Sequence, residues 1–145
     1  MNKYFSANAV LSMFSKYYMD LKKGLPIRPS EMGVLNIIAE TPGPHTPLLL
    51  AELLGVSKPM ITAHLTELAK KGYIEKRQSL EDKRVFNVLP TEKALALVES
   101  AKMDLNRHLE RLVQEMGEDE FDQLVRLAQK ANEILQAERL AAIHR

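Results

Sequence analysis

Chemistry in this sequence is concentrated in two short runs. Ser57, Lys58, Pro59, Thr62, Ala63, His64 and Thr66 form the first; Lys76, Arg77, Asp82, Lys83 and Arg84 form the second. The first run offers hydroxyls, one ammonium and small side chains. A helix that only covers a core carries long charged pairs on its outer face. One that enters a DNA major groove needs short side chains, so that its backbone comes close to the base edges, plus a few hydrogen-bonding groups. In the second run Asp82 stands two residues before Arg84, where a carboxylate can fix the guanidinium fork and reduce its ordering cost. Taken alone, such a pair is also an ordinary surface ion pair of little energetic consequence. No nucleophile–base spacing, phosphate loop or metal motif is present, which argues against an enzyme. The histidines are His45, His64, His108 and His144; no His-x-x-x-His spacing occurs among them, so no metal or cofactor is expected. The sequence has no cysteine, which excludes thiol redox sensing and any Cys-ligated metal.

The elements that must position these residues lie between Leu48 and Leu89. Thr46 can cap a first helix with Pro47 at its opening position, and Gly55 ends it. Ser57 can cap a second helix, whose first turn tolerates Pro59. Ile61, Leu65 and Leu68 recur at helical spacing and form its buried stripe. That leaves Lys58, Thr62, Ala63, Thr66, Glu67 and Lys70 facing outward, and Gly72 closes the helix in the left-handed region. Strand-like runs follow at residues 73–77 and 85–89, joined by the polar segment 78–84. A helix-turn-helix followed directly by a hairpin with a basic tip is a winged helix: one helix in the major groove, the wing over the backbone or minor groove.

Four pieces in order carry a resemblance: Leu-Gly-Val-Ser-Lys at 54–58, Lys-Lys-Gly-Tyr-Ile-Glu-Lys at 70–76, Glu-Asp-Lys-Arg at 81–84 and Leu-Pro-Thr-Glu-Lys at 89–93. Together they resemble the MarR family of bacterial regulators, in which an Asp-x-Arg wing motif precedes a Leu-Thr pair opening a long helix. The resemblance implies DNA-reading roles for Ser57, Lys58, Thr62 and Thr66, with Pro59 against thymine methyls or sugars and Arg84 in the minor groove, oriented by Asp82. His64 either reaches the DNA or packs half-buried. Lys76, Arg77 and Lys83 are either phosphate contacts or plain solvated charge. Ala63 stands where many relatives carry a basic residue, and Pro90 interrupts the Leu-Thr pair while Ala94 replaces a common Gly. The first departure bears on the target sequence; the second leaves the fold alone.

The 145 residues predict one domain, or one lobe with dimerising arms. No apolar run approaches the ~20 residues of a membrane span, and the N-terminus lacks a secretory pattern, so a cytoplasmic protein without a membrane partner is expected. The net charge of +1 is unevenly spread. Residues 45–91 hold 7 basic and 5 acidic side chains, whereas residues 92–145 hold 8 and 11. The acidic excess thus avoids the proposed contact surface, and a two-fold dimer would double the phosphate contacts.

On the N-terminal side, residues 3–23 read as a helix with Ala7, Leu11, Phe14, Tyr18 and Leu21 in a stripe widened by Val10 and Tyr17, ended by Gly24. Ser30 is expected to cap a helix from Glu31 to Glu40 with Met32, Leu35, Ile38 and Ala39 inward. The breaker-rich link Thr41–Pro47 is expected to hold a short strand pairing with the wing. Residues 91–116 and 118–140 read as two long helices separated by Gly117, with acidic residues 118–120 suiting the helix dipole. Their spare apolar faces, with that of the first helix, predict a homodimer. The resemblance implies a small-molecule effector between lobe and dimer helices, for which Met13, Tyr17, Tyr18, Met32 and His108 are the candidate crevice; plain core is the competing reading of those residues.

The expectation is a mostly α fold with a small antiparallel β-wing: an N-terminal dimerisation helix and link at 1–29, a winged helix-turn-helix lobe at 30–90 and C-terminal dimerisation helices at 91–145. The function expected is a sequence-specific double-stranded DNA-binding transcription regulator, a repressor rather than an activator, on a pseudo-palindromic operator. The alternatives are a winged-helix protein-docking module and a metal-responsive regulator.

Overall fold

Caps and breakers set the element boundaries. A computed structural model describes residues 2–143, so His144 lies outside the described residues. Among them are α1 (Lys3–Asp20), α2 (Pro29–Glu40), α3 (Pro47–Leu54), α4 (Lys58–Lys70), β1 (Ile74–Gln78), β2 (Phe86–Pro90), α5 (Glu92–Met116) and α6 (Glu118–Ile143). This is the expected mostly helical chain with a two-stranded antiparallel wing. No single described helix is long and apolar enough to cross a membrane.

Three helix starts follow the sequence signals. Thr46 Oγ1 accepts from Leu49 N–H at 3.2 Å and Ser57 Oγ from Met60 N–H at 3.3 Å. Thr91 Oγ1 accepts from Ala94 N–H at 3.3 Å, capping α5. The start of α2 differs from expectation. Arg28 is its N-cap, Pro29 occupies the first turn, and Glu31 Oε1 accepts from the Arg28 N–H at 3.3 Å. Proline at the opening position needs no N–H partner, so the helix begins before Ser30. The end of α1 also differs: the helix stops at Asp20, and residues 21–23 tighten into i→i+3 bonds before Gly24 at φ +89°.

The chain divides into two compact units, the first ending at Leu105 and the second beginning at Asn106. The first holds the core. Val34, Leu35, Leu50, Ile61, Leu65, Leu68, Val88 and Ala94 are almost wholly buried, with Met32, Ile38, Tyr73, Ile74 and Val98 around them. Ile61, Leu65 and Leu68 therefore seat α4 as their spacing predicts, leaving its opposite face free. The wing pairs Ile74 with Pro90, Lys76 with Val88 and Gln78 with Phe86. The link between α2 and α3 forms no strand. It gives one backbone bond, Val88 N–H to His45 O at 2.8 Å, because Pro42, Pro44 and Pro47 lack the N–H groups a ladder needs. His45 is buried; Thr41 Oγ1 spends its proton on Ile37 O at 2.6 Å, so at 2.9 Å the His45 Nε2 is the donor to it.

None of the α1 side chains is buried, and large apolar residues including Phe5, Leu11 and Tyr17 stand in the open. The second unit holds the end of α5 and all of α6. No α6 residue is buried, and Leu127, Ile134, Leu135 and Leu140 are exposed.

Candidate nucleic-acid interface

The outward face of α4 is made by its core face: once Ile61, Leu65 and Leu68 turn inward, Lys58, Pro59, Thr62, Ala63 and Thr66 must be exposed, and they are. The cap residue Ser57 is exposed at the helix start, and His64 is half-buried. Thr62 Oγ1 donates to Lys58 O at 2.9 Å and Thr66 Oγ1 to Thr62 O at 2.8 Å. Each hydroxyl proton is thus spent inside the helix, leaving an oxygen acceptor and a methyl on the outer surface. Such a face matches amino groups and thymine methyls on base edges. Met60, half-exposed in the same first turn, is a surface residue that the sequence pattern does not select. Its place one residue before Ile61 puts it at the margin of the core stripe, where periodicity does not decide between inward and outward.

At the wing, Asp82 and Arg84 make the expected pair in full. Arg84 Nε donates to Asp82 Oδ1 and Nη2 to Oδ2, both at 3.1 Å, and the Arg84 backbone N–H reaches Oδ1 at 3.0 Å. The Arg84 side-chain bonds, then its backbone bond, hold the Asp82 carboxyl below its usual range. The Arg84 side chain is itself 90% exposed, so the fork is fixed yet open to a partner.

The other wing cations sit apart from one another. Lys76 and Arg77 are sequence neighbours and fall on opposite faces of the hairpin. Lys76 Nζ lies over the Phe86 ring, 5.2 Å from its centre, and Arg77 Nη2 is 3.9 Å from Glu75 Oε2. Lys83 is exposed, and its carbonyl accepts from Gln78 Nε2 at 2.7 Å.

The candidate effector residues differ in their exposure. Met13 and Tyr17 are exposed on α1, Tyr18 is half-buried, Met32 is in the core, and His108 is exposed in the second unit. Tyr18 is engaged along its own helix, stacked on Phe14 with ring centres 5.9 Å apart and covered by Lys22 at 5.2 Å. A cavity of about 400 Å³ does exist within the first unit, between the α1–α2 link, α2 and the start of α5. Lys22, Lys23, Asn36, Glu40 and Lys102 line it, and of the five expected residues only Met32 does. Among the described residues no cluster of three or more His, Cys, Asp or Glu could hold a metal ion.

Comparison with known proteins agrees with this geometry. Residues 27–86 match the model of the MarR family. The chain resembles FabT of Streptococcus pneumoniae, solved in complex with DNA, at 25% identity over 93% of this chain and 99% of that one, with a TM-score of 0.80. It is similar to a MarR protein from Peptoclostridium difficile at 28% identity, over 92% and 84% of the two chains, with a TM-score of 0.65. It shares its fold with MepR of S. aureus in a DNA complex, at 21% identity, over 92% and 98%, with a TM-score of 0.71. The family model spans α2, α3, α4 and most of the wing, where the short-side-chained helix and the arginine-tipped hairpin lie, and it is over these residues that the chain is similar to the MarR family.

Proposed function

We propose that the chain is a sequence-specific, double-stranded DNA-binding transcription regulator that works as a homodimer, most simply as a repressor. Residues 30–90 are the reading lobe; residues 1–29 and 91–145 supply the dimerising helices. In this reading Ser57, Lys58, Pro59, Thr62, Ala63, His64 and Thr66 face the major groove. Arg84 enters the minor groove with Asp82 holding its fork, while Lys76, Arg77 and Lys83 meet phosphates from the two faces of the hairpin. The observation that carries the reading is the exposed Arg84 guanidinium, already clasped by Asp82, on the hairpin that follows an α4 whose outward face is short and polar. A pre-ordered, unburied cation costs little to use and suits the negative potential of a narrow groove. The alternating Lys76 and Arg77 favour a strand of phosphates on each side of the wing.

The cavity beside α2 has the volume of a small-molecule site. An effector there acts by favouring one spacing of the two reading helices over another. The test of the main reading is random-site selection with the purified full chain, followed by gel shift at two salt concentrations. The expected product is a pseudo-palindrome with half-sites about 10 bp apart and binding that weakens as salt rises. A chain that enriches no sequence and shifts no duplex would end the proposal.

A further inference from the structure

The wing ends in an apolar side chain that no described residue covers. Leu80 is 101% exposed, in a loop whose other members are Ser79, Glu81, Asp82, Lys83, Arg84 and the half-buried Val85. Turn positions favour residues that bond the local backbone, and leucine has no such group. A lone exposed leucine is ordinary; the rigidity around this one is not. Ser79 N–H donates to Val85 O at 2.9 Å and closes the loop, and Val85 N–H donates to Asp82 O at 3.0 Å. Ser79 Oγ accepts from the N–H groups of Glu81 at 3.3 Å and Asp82 at 3.4 Å. Gln78 Nε2 ties the far side to Lys83 O at 2.7 Å, and Asp82 clasps Arg84. The loop therefore holds a branched apolar group at a fixed place on the hairpin tip that also carries the guanidinium.

We propose that Leu80 is the apolar half of a two-part minor-groove reader whose charged half is Arg84. This rests on the DNA-binding function proposed above. The walls of the minor groove are deoxyribose C–H surface, about 6 Å apart in ordinary B-DNA and closer in A·T tracts, where the negative potential is also strongest. A guanidinium answers the potential. A leucine answers the width, because its methyl groups meet both walls only when the groove is narrow. G·C pairs widen the groove and place a guanine amino donor on its floor, which leucine leaves unpaired. Apolar side chains with this shape are used in minor grooves by proteins that bend or grip DNA there. Leu80 then contributes selectivity for A·T-rich flanks without neutralising any phosphate.

The experiment uses the full chain and the duplex it enriches in random-site selection, with the wing-protected positions located by hydroxyl-radical footprinting. Those positions are then rebuilt as A·T, G·C or I·C pairs, inosine lacking the guanine amino group. Leu80→Ala removes a side chain that touches nothing, so folding is unaffected and circular dichroism and melting match the parent. Expected is a loss of about fivefold in affinity on the A·T and I·C flanks, little change on the G·C flank, and an unchanged salt slope. A Leu80→Ala variant that binds all three flanks as the parent does, loses equally on all three, or shows a flatter salt slope overturns the role of Leu80 and leaves the DNA-binding reading intact. A parent chain that enriches no duplex overturns both.

Discussion

A guanidinium on a free side chain must be ordered before it can read anything, at a cost of about 2 kcal/mol in rotamer entropy. At the wing the ordering is done during folding, by three bonds to Asp82. Arg84→Ala is therefore expected to weaken operator binding by about 1–3 kcal/mol, measured by fluorescence anisotropy on selected and scrambled duplexes. Equal loss on both would show that Arg84 reads no base. Asp82→Asn retains one oxygen for the backbone N–H and loses the paired fork, so it should cost less than Arg84→Ala while moving affinity in the same direction. Its pH behaviour follows from the lowered carboxyl pKa. A depressed folded value means the clasp is complete above the ordinary carboxylate range and is lost only as pH falls through the lowered value. Between about pH 5 and 8 Asp82 stays ionised, and Asp82→Asn should leave the shape of a binding-versus-pH curve there unchanged. A midpoint in that window that vanishes in Asp82→Asn would contradict the assignment.

The orientation of α4 depends on what holds its C-terminal end. Thr91 Oγ1 donates to Gly72 O and Lys93 Nζ to Lys71 O, both at 2.7 Å, and Lys71 Nζ lies 3.4 Å from Glu31 Oε2. Thus α2 and the start of α5 both grip the residues at which the reading helix ends. Glu31 is 1% exposed, and Glu31→Gln keeps its shape while removing the charge that pairs with Lys71. With the Lys71 side chain a third exposed, the loss in unfolding free energy should be about 1 kcal/mol, read by urea denaturation. In a double-mutant cycle with Lys71→Met the two losses should overlap; strict additivity would mean the pair is not coupled. This grip is invisible in the sequence because Glu31 and Lys71 are forty residues apart. Signals confined to one turn are legible there: the Thr46 and Ser57 caps, the left-handed glycines at 55 and 72, and the Asp82–Arg84 spacing. Signals needing a partner elsewhere are not. The link Thr41–Pro47 reads as a strand by its position beside the wing, but its prolines limit it to one bond. Among the candidate effector residues, packing sends Met32 to the core and leaves Met13 and Tyr17 in the open, a difference that residue type alone does not reveal.

At the scale of the whole molecule, the question is what covers the apolar surface that the chain leaves bare. Helix α1 exposes Tyr4, Phe5, Val10, Leu11, Phe14 and Tyr17; α6 exposes Leu127, Ile134, Leu135 and Leu140. Contiguous apolar faces of this kind mark association surfaces in soluble proteins, and a self-complementary two-fold contact is the commonest solution. A dimer also supplies what one lobe lacks. A chain with a net charge of +1 makes few phosphate contacts alone, whereas two lobes fixed about one helical turn apart double them and read two half-sites together. Leu127→Asp combined with Ile134→Asp places two charges one above the other on the exposed face of α6. Neither side chain is buried within the chain, so the helical content should persist while sedimentation velocity moves from dimer to monomer. In the same variant the slope of log affinity against log salt should fall to about half, and the preference for paired half-sites over a single one should disappear. A double variant that still sediments as a dimer, with its salt slope unaltered, would show that α6 is not the surface that joins two copies.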